Sequence, residues 1–193
     1  VDRSLITGTQ TINDNIIQMT IKFPNDIALN SEKEFMRNFA GLYEHSSWVA
    51  ETAYNKVKSS AEFNNLEKFH SLLCEILLDA DPDAQQKLIL AHPMLSGKKK
   101  VNDEITEFSI NEQKSAGLDN CTDEEITTFD NLNQKYLTKF NFPFIMAIKE
   151  KTKTDIVTGF EARQQNTVAQ EKLNAINEIN KIAWLRIKDI YGI

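Results

Sequence analysis

From residue 31 to the C-terminus, apolar residues recur at spacings of three and four, and strand-like alternation is almost absent. That period places apolar side chains on one face of an α-helix. The residues that punctuate chains most strongly are scarce, with 6 Gly and 4 Pro in 193 residues. No repeat, linker or composition break divides the sequence. The expectation is an all-α fold, a single-domain bundle of about eight helices over residues 31–193. The N-terminal arm, residues 1–30, lacks helical period and mixes Thr, Ile and Asn. It is expected to be extended or poorly ordered.

Individual helices are legible from their caps. Ser31 with Glu34 forms a Ser-x-x-Glu capping box ahead of Phe35, Phe39, Leu42 and Tyr43. A second helix starts at Ser46 or Ser47 and carries Trp48, Val49, Ala53 and Val57, and a third spans about 62–78. Asp81 caps a fourth with Pro82 at its first position, where the missing N–H is harmless. It ends near Ala91, because Pro93 pushes residue 92 out of helical conformation. Ser109 with Glu112 and Thr122 with Glu125 give two further boxes. NFPF breaks the helix after Phe140, and Phe144 to Ile148 is short and apolar enough to be a buried extended segment. A helix over roughly 153–164 precedes the last one, which Thr167 and Gln170 cap.

The formal net charge of −6 argues against a nucleic-acid partner, which needs a basic face. The run Lys98-Lys99-Lys100 reads as a solvated loop. No stretch of about 18 apolar residues is present to span a membrane. Two cysteines, Cys74 and Cys121, do not make a disulfide framework, and with no secretory signal in view a cytoplasmic setting is the simplest. The three histidines, His45, His70 and His92, form no metal-binding spacing, and C-x-x-C, P-loop, G-x-G-x-x-G and G-x-S-x-G motifs are missing. No zinc site is expected on spacing grounds.

His70 reads as a packed helix residue and His45 as a helix stop. His92 differs. It follows the last turn of a helix, whose dipole favours the imidazolium and would raise its pKa, and Pro93 fixes its backbone. The structural alternative is a histidine that ends a helix and does nothing more. Ser109 and Glu112 are explained by capping alone, and Arg163 and Asn166 by a solvated helix end.

The order of six segments narrows this. FMRNFAGLYEHSSWVAETA, AHPMLSGK, SINEQKSAGL, KFNFPFIMAIK, EARQQN and a last helix ending IAWLRI together resemble the OHCU decarboxylases, over about residues 31–190. These enzymes of uric acid degradation convert 2-oxo-4-hydroxy-4-carboxy-5-ureidoimidazoline to (S)-allantoin. The resemblance implies an all-helical homodimer that binds a small ureidoimidazoline and needs no cofactor. It makes His92 catalytic and Glu112 a substrate contact, to which we add a share for Glu112 in the proton chemistry. It makes Pro93, Ser109 and Gln113 substrate-binding, with the backbone of Phe144, Ile145, Met146, Ala147 and Ile148 against the ring. Arg163 would meet the substrate's carboxylate or ureido group.

Two departures stand out. Met94 and Ser96 replace the family's Asp and Ala in the HPDLAGK pattern, which removes a carboxylate beside His92. Glu150 stands where the family often has Gly after FIMAIK. The competing reading is a non-catalytic helical interaction or regulatory module that kept the fold. Retention of His92, Ser109, Glu112, Gln113 and Arg163 together argues for the enzyme.

Overall fold

The structure is a computed structural model that describes residues 7–12, 15–20, 22–95 and 105–193. The helical expectation holds: the described residues form nine α-helices and three short 3-10 turns. The departure lies in the arm. Thr7–Ile12 (β1) and Asn15–Thr20 (β2) pair antiparallel, Thr7 opposite Thr20 and Ile12 opposite Asn15. The helix Pro24–Asn30 (α1) also falls inside the stretch assigned to an extended arm. Its signal was a proline at the first position and Asp26 in the first turn, whose carboxylate accepts from the Phe23 N–H. Seven residues were too few to show a period.

The remaining helices are α2 Glu32–Phe39, α3 Trp48–Ser59, α4 Leu66–Leu78, α5 Pro82–Ala91, α6 Glu107–Ser115, α7 Asp123–Phe140, α8 Lys153–Arg163 and α9 Val168–Tyr191. The expected helix over 62–78 is split. Asn65 caps α4 by accepting the Lys68 N–H at 2.9 Å, and a 3-10 turn, Ala61–Asn64, precedes it. The Ser109–Glu112 box is also corrected. Thr106 is the N-cap of α6 and accepts from the Ser109 N–H, so Ser109 sits inside the helix and its hydroxyl is free for other work. The caps at Ser31, Asp81, Thr122 and Thr167 stand where the sequence put them.

Helix α9 is the spine. Its 24 residues pack against α4, α5 and α7, and bury Ile176, Ile179, Ile182, Ala183 and Ile187. Beneath it Phe35, Phe39, Phe69 and Tyr54 form one aromatic cluster with ring centroids 4.9–6.2 Å apart. A second cluster joins Tyr136, Phe140, Phe142, Phe144 and Phe160, with Phe144 stacked on Phe160 at 3.8 Å. It pins the chain after α7. Asn141 ends that helix in left-handed conformation (φ 59°), and Pro143 sends the backbone on as non-helical chain to Ile148. Gly159 on α8 permits this approach, since a Cβ there would lie 3.1 Å from the Met146 sulfur.

Glu150 has φ 66°, the left-handed region that favours glycine. A glycine at this point, as the resemblance implies, would have a backbone reason. Glu150→Gly is expected to raise unfolding stability by about 0.5–1 kcal/mol, the left-handed strain relieved less the entropy of a glycine. Urea unfolding at constant m-value checks it.

Candidate active site

Four pieces of chain converge on one cleft: the end of α5, the inward face of α6, the segment after α7, and α9. His92 and Leu95 line it from the first, Ser109, Glu112 and Gln113 from the second, Phe144, Ile145, Met146 and Ile148 from the third, and Ile182 from the fourth. Pro93 completes the wall beside His92. The cleft encloses about 30 Å³, room for a single water. A ureidoimidazoline must widen it; Pro93, Glu112, Gln113 and Met146 are half-buried and the rest of the wall is buried.

His92 is buried at the joint the sequence singled out, with extended backbone (φ −71°, ψ 136°). Its Nδ1 lies 2.9 Å from the Leu88 carbonyl, one turn back on α5. That bond fixes the tautomer, with Nδ1–H donating to Leu88 and Nε2 left as an acceptor. The expected rise in pKa is corrected. Burial disfavours the imidazolium and pulls its pKa down to about 4, against the upward pull of the Leu88 carbonyl and the Glu44 charge. Desolvation outweighs the helix dipole here because the ring is covered by protein. The folded value lies below the unfolded value of about 6.5, so the folded state binds fewer protons across that window. Stability therefore falls as pH drops from about 6.5 toward 4. NMR titration should find this ring neutral at pH 6 with the proton on Nδ1, whereas an ordinary exposed imidazole is mostly charged there.

Sequence reasoning missed the charged anchor of the site. Arg186 on α9 is buried, and its guanidinium grips Glu112 in a fork, Nε to Oε1 at 2.7 Å and Nη2 to Oε2 at 2.9 Å. Nη2 also donates to Glu44 at 3.2 Å and to the Ser109 hydroxyl at 3.1 Å. Nη1 donates to the Gly41 carbonyl at 3.3 Å. Glu44 accepts from the hydroxyls of Thr106 (2.7 Å) and Ser109 (2.9 Å). Burial pushes the Glu44 carboxyl up, but the Thr106 bond, the Arg186 charge and the Ser109 bond outweigh it and hold its pKa below the ordinary value. Ser109 thus lines the cleft while its hydroxyl is occupied within the network. Gln113 reaches the other way, its Nε2 donating to the Met94 carbonyl at 3.4 Å, which ties α6 to the chain after His92.

Arg163 is not on the cleft surface. It lies behind the wall, with Nε donating to Glu171 at 2.5 Å and Nη1 to the Ile145 carbonyl at 2.5 Å, its guanidinium carbon 4.4 Å from the Phe144 ring centre. The solvated-helix-end reading fails too, because Glu171 is fully buried. Burial pushes the Glu171 carboxyl up, but bonds from Asn166, Tyr136 and Arg163 hold it below its ordinary value. Ala147, also expected at the site, directs its N–H away to Glu178 at 2.8 Å. Ser96 and Lys98 to Lys100 lie outside the described residues. Among the described residues no group of three or more His, Cys, Asp or Glu could hold a metal, and no helix is long and apolar enough to cross a membrane.

Comparison with known proteins gives the same direction. The OHCU decarboxylase family profile matches residues 29–188. The 2-oxo-4-hydroxy-4-carboxy-5-ureidoimidazoline decarboxylase of Haloferax volcanii is 34% identical over 161 residues, 83% of this chain and 91% of the relative. The same-named protein of Halalkalicoccus jeotgali is 33% identical, over 89% of this chain and 93% of its own. The uric acid degradation bifunctional protein of Bacillus sp. (strain TB-90) is 38% identical over 83% of this chain, but the match spans only 30% of that longer protein. Among solved structures, (S)-allantoin synthase superposes with a TM-score of 0.69 at 27% identity, over 88% of this chain and 54% of the other. An OHCU decarboxylase structure determined in the presence of (S)-allantoin shares the fold, with a TM-score of 0.62 at 18% identity over 80% of this chain and 97% of the other.

Proposed function

The chain belongs to the OHCU decarboxylase family, and we infer that its cleft decarboxylates 2-oxo-4-hydroxy-4-carboxy-5-ureidoimidazoline to (S)-allantoin in uric acid degradation. The observation that carries the reading is His92. Its ring is buried, its Nδ1 is committed to Leu88, and it shares the cleft with Glu112, Gln113 and the 144–148 wall.

The substrate brings its own electron sink. Its carboxylate sits on C4, next to a C5=N bond. When the C4–CO2 bond breaks, its electron pair forms C4=C5 and the imine pair moves to nitrogen, which takes a proton. The C4 hydroxyl then loses its proton to become the carbonyl, and C5 gains one. A cofactor's sink is not needed for such a step. The protein's work is to hold the C–CO2 bond perpendicular to the imine plane, exclude water and move protons.

His92 Nε2 is the acceptor suited to the C4 hydroxyl proton, because the imidazole is neutral at physiological pH. Glu112 stands on the same cleft with both oxygens already accepting from Arg186. Its part is to orient the hydroxyl and carboxylate region, so the proton passes to His92. Ser109 acts through Glu44 and Arg186, and Gln113 can turn its amide to the ureido group. Among the described residues, nothing hydrogen-bonds the N–H or C=O of Met146. That pair suits the alternating donors and acceptors of a ring amide. Protonation of C5 from one face sets the S configuration. The same reading includes a homodimer and a cytoplasmic setting, the latter supported by unpaired Cys74 and Cys121.

The test is turnover of substrate made freshly from urate by upstream enzymes. The protein should speed loss of substrate with one CO2 released per molecule. A rate no faster than spontaneous decay would contradict the assignment.

A further inference from the structure

The segment that walls the cleft is held from behind by two charged side chains from different helices. Arg163, the last residue of α8, donates Nη1 to the Ile145 carbonyl at 2.5 Å. Glu178 on α9 accepts the Ala147 N–H at 2.8 Å through Oε2, while its other oxygen takes Lys181 at 2.5 Å. One polar atom of each peptide unit flanking Met146 is thereby consumed on the outer edge of the wall. The N–H and C=O of Met146 itself have no partner among the described residues, and Met146 lines the cleft.

Each anchor is itself anchored. Arg163 is fixed by Glu171, which also accepts from Tyr136 at 2.5 Å and Asn166 at 2.8 Å. Its guanidinium lies on the Phe144 ring, so the fork meets the segment by face and by edge. Glu178 is largely covered, its side chain 17% exposed. Among the described residues, the segment has no ladder of main-chain bonds to a neighbouring strand that would define its peptide planes. These two side chains do that instead.

Building on the functional reading above, we propose that Glu178 and Arg163 are positioning residues for the reaction. By occupying the Ala147 N–H and the Ile145 carbonyl, they fix the peptide planes that the substrate ring reads. Neither touches substrate. Their loss tilts the wall, misplaces the ring relative to His92, and shows in KM and in the handedness of the product before it shows in global stability.

Glu178 allows a clean comparison. Glu178→Gln keeps an oxygen that accepts the Ala147 N–H, and Glu178→Leu removes it from a helix position that tolerates leucine. With freshly made substrate, Glu178→Gln is expected within about twofold of wild-type KM. Glu178→Leu is expected to raise KM about tenfold, the size of one lost buried hydrogen bond, and to lower the enantiomeric purity of the product. Arg163→Lys gives a second, independent arm. An ammonium can satisfy Glu171 or the Ile145 carbonyl but has no fork to span both, so KM should rise while the fold remains. It decides the matter should Glu178→Leu fail to fold. Wild-type KM and a single enantiomer from a folded Glu178→Leu, or from Arg163→Lys in its place, would overturn the proposal. So would equal damage from Glu178→Gln and Glu178→Leu. Wild-type protein runs alongside: no turnover there would defeat the functional reading, whereas turnover with unaltered variants defeats only the positioning role.

Discussion

His92→Ala lowers kcat by about 10²–10⁴-fold, the range for loss of a positioned general acid or base, while the protein stays folded. Among the described residues the ring makes one hydrogen bond to the fold, to the Leu88 carbonyl. Its loss is worth about 0.5–1.5 kcal/mol, too little to unfold a domain with this core. The α5 helix keeps its Asp81 cap and its proline start, and Pro93 still ends it. The activity loss is large because, among the described residues of the cleft and its network, the other proton acceptors are already engaged. Glu112 is locked to Arg186, and Glu44 is buried against Thr106, Ser109 and Arg186. His92→Gln separates roles, since its amide can fill the space and bond to Leu88 but cannot accept a proton. It should be as inactive as alanine and more stable. Circular dichroism melts beside single-turnover rates check both statements.

Arg186→Met loses about 3–5 kcal/mol of unfolding stability, the scale for breaking one side of a buried ion pair. The guanidinium is 1% exposed and serves two carboxylates, and Glu44 beside it has a fully buried side chain. Methionine fills the volume but leaves Glu44 and Glu112 facing each other across Ser109 with no cation between them. Part of the loss is recovered on acidification, because protonating a carboxylate relieves the repulsion. Wild-type protein does the opposite in the same range, since Glu44 with a depressed pKa contributes stability that is lost as pH falls. Denaturant unfolding of both proteins at pH 7 and at pH 4, below the unfolded carboxylate pKa of about 4.3 where the Glu44 contribution begins to fall, reads the difference. Arg186→Lys should not rescue it, because one ammonium cannot present a fork to Glu112 and still reach Glu44 and the Gly41 carbonyl.

Most of the helical frame was legible because its signals are local. Caps at Asp81, Thr122 and Thr167 and the break at Asn141 to Pro143 depend only on residues a few positions apart. The failures are equally physical. Ser109 and Glu112 fit a capping pattern that Thr106 pre-empts, so a buried network was mistaken for helix punctuation. Helix α1 is too short to show a period. The resemblance of EARQQN puts Arg163 at the substrate, but a guanidinium serves a carbonyl and a carboxylate behind a wall equally well. Arg186, Glu44 and Glu178 carry signals visible only once faces are assigned. Arg186 falls on the stripe of Ile179, Ile182 and Ala183, and a lone charge on a buried stripe demands a partner. Glu44 could not be identified as that partner, since it lies 142 residues away in sequence. The state of His92 was misjudged for a similar reason: the dipole is local and readable, whereas burial depends on chain segments that meet only in the fold.

The decisive measurement is the circular dichroism of allantoin formed from freshly generated substrate, followed with wild-type protein and with His92→Ala. Wild type is predicted to build the signal of the S enantiomer faster than substrate decays alone, and His92→Ala to give racemic product at the spontaneous rate. Racemic product from wild type, or an equally fast S signal from the alanine variant, would contradict the account.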